Sequence, residues 1–340
     1  MSMTYDVAIV GATGLVGETL LSLLEERSFP VGDIYLLASE RSAGVKIQFK
    51  EKSISVENLQ DFDFSQAQLA WFCAGGAISE KYAPIAADAN CIVIDNSSFF
   101  RNDFDVPLVI PEVNPDSIIN YSARNIIANP NCSTIQMLLA IAPIHKEVGI
   151  ERINVSTYQA VSGSGKRGLE ELAKQTTSLL NARDVEVNVY SQQIAFNVLP
   201  HIDVFMENDY TREEMKMLWE TQKILADEEI AVNATCVRVP VFHGHSESVH
   251  LDTRSYISAD EVREILRQSP GVEVIDHPEE QKYASAVTNA SGSDAVYVSR
   301  IREDLAGNNG INMWVVSDNG RKGAALNAVQ IAELLIEKFL

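Results

Sequence analysis

The sequence predicts an α/β protein: a doubly wound parallel sheet domain, then a second α/β domain with a mixed or antiparallel sheet. Three observations carry this. Short apolar runs alternate with amphipathic stretches over roughly the first 130 residues, a glycine turn follows the first run, and later runs switch to polar alternation. The length of 340 residues suits two domains.

The elements follow in order. "YDVAIVGATGLVGETLLSLLEERSFP" opens as a buried strand, a glycine turn and an amphipathic helix. "DIYLLAS", "LAWFCAGG" and "CIVIDNS" are further strands, with "SEKYAPIAADAN" a helix between the last two. Strands apolar on both faces, alternating with helices, mean a parallel sheet covered on both sides. Beyond them, "RINVSTYQAV", "ATCVRVPVFHGHSESVHLDTR" and "DAVYVSRIRED" read as longer strands with one wetter face. "REEMKMLWETQKILAD", "SADEVREILRQS" and the closing "KGAALNAVQIAELLIEKFL" carry helical periodicity.

Composition excludes several classes. Lys+Arg number 27 against Asp+Glu 47, a net charge of −20, which argues against a nucleic-acid surface and against docking on anionic lipid. The cysteines Cys73, Cys91, Cys132 and Cys236 fit no zinc spacing, so no metal is expected. Cys73 and Cys91 lie in apolar runs and read as inert core residues. "MSMTYD" runs straight into a strand, so no signal peptide is expected, and no apolar run reaches the 18 or so residues of a membrane helix. The expectation is a cytoplasmic protein with reduced thiols.

"GATGLVG" places Gly11, Gly14 and Gly17 between strand and helix, where a backbone turn can approach a pyrophosphate at a helix N-terminus. At the end of the second strand, Ser39, Arg41 and Ser42 could hold a 2′-phosphate, which favours NADP over NAD, while Glu40 among them is the acid an NAD enzyme would place there. In "IIANPNCSTIQMLLAI", Cys132 heads a helix-like run. The dipole there favours a thiolate, the nucleophilic form, against the alternative of a structural cysteine.

A cysteine nucleophile needs a proton-transfer partner. "VRVPVFHGHSESVH" holds three of the six histidines, and His243 and His245 would share a face if the strand continues. A proton shuttle is the better reading than a metal pair, with the choice of histidine open. Arg238 precedes this turn on the strand, and its planar fork suits a carboxylate. Thr211 and Glu214 have capping-box spacing. Glu213 and Lys216 share a helix face and read, on spacing alone, as a solvated salt bridge. Arg101 in "NSSFFRND" reads on its own as a loop cation.

Together these segments resemble aspartate-β-semialdehyde dehydrogenase over nearly the whole chain. "GATGLVGETLL" resembles that family's cofactor loop, "SERSAG" its 2′-phosphate loop and "NPNCST" its nucleophile motif. "YQAVSGSGKRG" resembles its glutamine segment, "EEMK" and "RVPVFHGHSE" its substrate and histidine segments, and "DNGRKGAALNAVQIAE" its closing segment. The resemblance implies Cys132 as acyl-accepting nucleophile, His245 as acid/base and Gln159 as the residue orienting the acyl group. It implies Arg238 on the substrate carboxylate, Glu213 on its ammonium, Arg101 and Lys216 on the phosphate, and Asn131 shaping the site beside the nucleophile. Around NADP it implies Gly11, Thr13, Gly14, Leu15, Val16, Gly17, Ser39, Arg41, Ser42, Gly75, Ser162, Gly163 and Asn319.

The implied reaction is the NADPH-dependent conversion of aspartyl phosphate, through a Cys132 thioester, to aspartate semialdehyde and phosphate. The implied architecture is a Rossmann-type NADP-binding domain over 1–130 plus 318–340 and a catalytic and dimerisation domain over 131–317, in a homodimer. Synthesis of lysine through diaminopimelate, and of threonine, methionine and isoleucine, is the implied setting. Departures from the family pattern are Gly320, Phe99 and Ser164, none of which removes a chemical group. N-acetyl-glutamyl-phosphate reductase should lack the Arg238 and Glu213 pair. A glyceraldehyde-phosphate-type enzyme would carry an "SCTTN"-like motif, and a non-catalytic paralogue would have lost catalytic positions that are all filled here.

Overall fold

The runs that read as apolar on both faces pair into one wholly parallel sheet. Its order is Glu57–Asn58, Val31–Ala38, Tyr5–Val10, Leu69–Phe72, Ile92–Asp95 and Ile126–Ala128. Every residue of Leu69–Phe72 and Ile92–Asp95 is buried, as strands covered on both faces require. The computed structural model describes residues 3–307 and 309–340. It divides into two units, Met1–Pro130 with Ala324–Leu340, and Asn131–Gly323.

In the first unit the chain starts at Tyr5–Val10, winds to one edge, then restarts on the other side of that strand. The carboxyl end of Tyr5–Val10 is therefore the topological switch point, where open α/β sheets bind ligands. Helix Leu15–Glu26 and the closing helix Leu326–Phe339 contribute Leu20, Leu24, Val329 and Ile331 to a core shared with Trp71 and Ile94. Trp71 Nε1 donates to the Ala328 carbonyl at 3.0 Å, which pins the closing helix against the sheet. A short antiparallel hairpin, Lys46–Phe49 with Lys52–Ser55, was not read from the sequence because its few residues carry little apolar signal. Cys73 follows one strand and Cys91 precedes another; burial pushes both thiols up to about 12, so they are inert.

The second unit is built on a mixed sheet ordered Ala231–Arg238, Ile150–Gln159, His245–Thr253, Gly310–Ser317, Val296–Glu303 and Val272–Val274. The outer pairs are parallel and the inner pairs antiparallel. Along Ile150–Gln159, the residues Ile153, Val155, Thr157 and Gln159 are buried and their neighbours are partly exposed, the period-two pattern of a one-sided sheet. Helix Cys132–Val148 packs on this sheet and is buried through Ile135, Leu138, Leu139 and Ile141. Helices Arg212–Leu225 and Ala259–Arg267 both open on complete capping boxes, the first built by Thr211 and Glu214.

Two details differ from the sequence reading. The strand does not run through the histidine turn: it stops at Arg238 and restarts at His245, so His243 lies in a turn and shares no strand face with His245. Glycine at 244, with φ +87°, makes that turn. The chain rejoins the first unit at Ala324 rather than at residue 318. Asp318 holds the intervening segment in the second unit: its carboxylate accepts from the Gly292, Gly320 and Arg321 N–H groups at 2.7, 2.8 and 3.1 Å.

Candidate active site

In the first unit the glycine turn occupies the switch point. Gly11 has φ +86°, and a Cβ there would lie 2.9 Å from the Cys73 carbonyl carbon. A Cβ on Gly17 would lie 2.5 Å from the Gly11 carbonyl oxygen. The turn is thus closed to side chains from within, and Gly14 caps helix Leu15–Glu26 with no side chain over its N–H groups. That is a cradle fitted to a pyrophosphate. Thr13, Leu15 and Val16 lie half-buried beside it, and Gly75 caps helix Gly76–Asp88. Ser39 and Arg41 are exposed and Ser42 half-buried, on a single turn directly after strand Val31–Ala38.

Arg101 belongs to this unit and is not a solvated loop cation. It is 7% exposed, with Nε donating to the Asn129 carbonyl at 2.8 Å and Nη2 to the Asn96 carbonyl at 2.9 Å.

In the second unit, strand pairing gathers three side chains. Arg238 pairs laterally with Gln159, so both project from one face at adjoining strand ends. Glu247 pairs with Thr157, which puts His245, two residues earlier, on that face too. Cys132 is the first residue of its helix, and Asn131 is the N-cap. Asn131 Oδ1 accepts from the Ser133 and Thr134 N–H groups at 2.9 and 3.3 Å, and its Nδ2 donates to Glu213 Oε1 at 2.8 Å. Gly323 packs on Cys132: a Cβ there would lie 3.0 Å from the Cys132 Cβ.

Glu213 is the hub. Its Oε1 also accepts from Gln159 Nε2 at 3.1 Å, and its Oε2 accepts from Lys216 Nζ at 2.9 Å. Burial raises its carboxyl, but the Lys216 charge and the three donors outweigh this and bring it down to about 2. The Glu213 and Lys216 pair is therefore buried rather than solvated. Lys216 also donates to Asp203 Oδ2 at 2.8 Å, and its two carboxylate neighbours hold its ammonium above the usual range against desolvation.

His245 is fully buried. Its Nδ1 accepts from the Ala160 N–H at 3.0 Å, so the neutral ring carries its proton on Nε2, which lies 3.5 Å from Gln159 Nε2. Burial first, and the Arg238 charge second, push the imidazole down to about 3, so it is neutral at ordinary pH. Arg238 Nη1 donates to the Ala160 carbonyl at 2.6 Å. Gly163 lies over both: a Cβ there would be 2.9 Å from Arg238 Nη1 and 3.6 Å from His245 Nε2. Asn319 Oδ1 accepts from Ser162 Oγ and from the Gly244 N–H, each at 3.0 Å, tying the 318–323 segment to the histidine turn. Among the described residues no cluster of metal-ligating side chains occurs.

The sequence reading missed three participants. The Asn131 N–H donates to Glu220 Oε2 at 2.6 Å, so a second buried acid anchors the Cys132 helix. Its signal was present: Glu213, Met217, Glu220, Thr221 and Ile224 form the buried stripe of one helix, with two acids where apolar residues belong. Asp203 and Gly323 gave no sequence signal.

The chain matches two family models, "Semialdehyde dehydrogenase, NAD binding domain" over residues 6–121 and "Semialdehyde dehydrogenase, dimerisation domain" over 141–322. It is 58% identical to the aspartate-semialdehyde dehydrogenase of a Shewanella species over the full length of both chains. It is equally similar to aspartate-semialdehyde dehydrogenase 2 of Vibrio cholerae, again at full coverage of both. The crystal structure of the Vibrio cholerae enzyme II complexed with ASA superposes with a TM-score of 0.98 at 57% identity, covering 100% of each chain. A Candida albicans aspartate semialdehyde dehydrogenase with NADP superposes at 0.78 and 26% identity, covering 98% of this chain and 99% of that one.

Proposed function

The chain belongs to the aspartate-semialdehyde dehydrogenase family, a family of phosphorylating dehydrogenases with an NAD(P)-binding domain, and from that premise we propose how its residues divide the reaction. The substrate is L-aspartyl-4-phosphate and the product L-aspartate 4-semialdehyde. Cys132 Sγ attacks the acyl carbon, the C–O bond to phosphate breaks, and a thioester remains on Cys132. The glycine turn of the first unit would hold NADPH, with Ser39, Arg41 and Ser42 on its 2′-phosphate, and the cofactor would supply the hydride that the thioester needs to become the semialdehyde.

The protein's other groups hold charge and protons. His245 presents Nε2–H as a donor to the acyl oxygen as negative charge builds there, then to the sulfur as the C–S bond breaks. It does this as a neutral imidazole, because Nδ1 is committed to the Ala160 N–H. Gln159 orients the acyl group from the same face. Arg238 binds the substrate carboxylate, Glu213 its ammonium, and Arg101 and Lys216 the phosphate. Asn131 positions Cys132 by capping its helix.

The observation that carries this reading is the hydrogen-bonded set of Asn131, Glu213 and Gln159 at the head of the Cys132 helix, with His245 Nε2 in contact with Gln159 at 3.5 Å. The test follows NADPH absorbance with aspartate semialdehyde and phosphate, beside a Cys132→Ala variant. Phosphate-dependent NADPH formation lost in the variant supports the reading, and no turnover with NADP or NAD in a folded, nucleotide-binding protein refutes it. The match of residues 141–322 to a dimerisation domain supports a homodimer. No described helix is long and apolar enough to cross a membrane, and a cytoplasmic enzyme supplying lysine, threonine, methionine and isoleucine synthesis fits the family.

A further inference from the structure

Lys216, the cation assigned above to the phosphate, already carries two internal anions. Its Nζ lies 2.8 Å from Asp203 Oδ2 and 2.9 Å from Glu213 Oε2. The two carboxylates are held differently. Glu213 takes two further donors, Asn131 and Gln159, and its side chain is only 7% exposed. The Asp203 side chain is 27% exposed, and among the described residues its other oxygen accepts only the N–H of the next residue, Val204, at 2.9 Å. Asp203 also lines a cavity of about 240 Å3 with Arg238, Ser164 and His201, so the Lys216 and Asp203 contact borders open space.

The backbone around Asp203 is fixed. The Arg212 N–H donates to the Val204 carbonyl at 2.8 Å, and Phe205 bridges Thr211, which ties the segment to the start of the helix bearing Glu213 and Lys216. Asp203 has φ +68°, a region that Asp and Asn tolerate better than most residues. Exchange at Lys216 therefore needs only rotation of the Asp203 side chain, whereas release of Glu213 would break three bonds.

We propose that Asp203 is a displaceable internal anion on Lys216, which the phosphate of the substrate must replace, so that Asp203 sets the affinity and selectivity of the site for anions. It rests on the assignment of Lys216 to the phosphate. A phosphate near neutral pH carries close to two negative charges and outcompetes one carboxylate for the ammonium. A monoanion such as nitrate does not. Asp203 is thus a specificity-determining residue that touches neither the acyl carbon nor the sulfur.

The test measures the phosphate KM in the semialdehyde-oxidising direction and inhibition by nitrate, for wild type, Asp203→Asn, Lys216→Met and the double variant. Where turnover is too low, the Kd of inorganic phosphate for the NADP-loaded enzyme is read by calorimetry. Asp203→Asn is expected to lower the phosphate KM by about threefold to tenfold, the scale of one partly exposed ion pair, and to sensitise the enzyme to nitrate. In the Lys216→Met background it should change neither. If Lys216→Met leaves phosphate affinity intact, the phosphate role of Lys216 fails and the proposal with it. If Lys216→Met weakens phosphate binding but Asp203→Asn does not strengthen it, exchange is wrong while the Lys216 role stands. An equal gain in both backgrounds would mean bulk charge, and a raised KM for the semialdehyde instead would make Asp203 an ammonium ligand; either overturns the proposal. Should Asp203→Asn fold poorly, Asp203→Gly suits the same backbone region and carries the same comparison.

Discussion

Replacing Asn131 separates the two tasks its side chain performs. Its Oδ1 caps the Cys132 helix and its Nδ2 donates to Glu213. Asn131→Ala removes both. Loss of an N-cap costs about 1 kcal/mol. Loss of one charge-assisted donor to a buried carboxylate costs about 2 kcal/mol more. The sum, about 3 kcal/mol, corresponds to a Tm lower by roughly 10 °C for a unit of this size. Asn131→Asp keeps a capping oxygen and favours the helix dipole, yet sets a carboxylate against Glu213 and removes one of the donors that hold its carboxyl low. It should therefore melt well below wild type near neutral pH and recover towards it as the pH falls, since one proton shared by the two carboxylates removes the repulsion. The assay is thermal unfolding followed by circular dichroism across acidic to neutral pH, with phosphate-dependent turnover on the same samples. If Asn131→Asp is as stable as wild type at neutral pH, the Asn131 to Glu213 bond is not the link described. If Asn131→Ala melts within a degree or so of wild type, the cap itself is not formed.

The remaining predictions are briefer. Gly17→Ala forces a methyl within 2.5 Å of the Gly11 carbonyl oxygen, and should weaken NADP binding at least about tenfold by fluorescence titration; unchanged affinity would show that the turn is not the nucleotide cradle. His245 is neutral when folded, at about 3, but titrates near 6.5 when unfolded, so the unfolded chain binds the extra proton and stability present above that range falls as pH drops towards 3. Between about pH 7 and about pH 5, wild type should lose about 2 kcal/mol more stability than His245→Gln in urea titrations, and equal losses would contradict a buried neutral ring. A thiol reagent at mildly alkaline pH should modify Cys132 and spare Cys73, Cys91 and Cys236, all pushed up by burial; labelling of Cys73 in the native protein would refute that. Glu247 is fully buried and burial pushes its carboxyl well above the usual range, so it is a neutral acid. Glu247→Gln should stay within about 1 kcal/mol of wild type while Glu247→Ala loses about 3 kcal/mol by calorimetry.

What the sequence determined by itself were the elements whose information is local. The parallel sheet was legible because burial on both faces leaves uninterrupted apolar runs such as Leu69–Phe72. The glycine turn was legible because Gly11 and Gly17 occupy positions where no Cβ fits. The Thr211 cap was legible because its partner Glu214 is three residues away. Cys132 could be placed at a helix mouth for the same reason, since "NPNCST" meets a helical run there.

Only the tertiary structure decided which long-range partners these groups meet. Spacing made Glu213 and Lys216 a surface pair; burial and the Asp203, Asn131 and Gln159 contacts make them a charged hub. Composition left two histidines in one turn; the break at Gly244 removes His243 from the strand face, and the Ala160 N–H fixes the tautomer of His245. Arg101 read as a loop cation, and two backbone carbonyls bury it. A hydrogen bond between residues 82 apart, such as Asn131 to Glu213, leaves no periodic trace in either segment. The field that sets a pKa comes from every charge and every lost water around a group, and those exist only once the chain has closed around it.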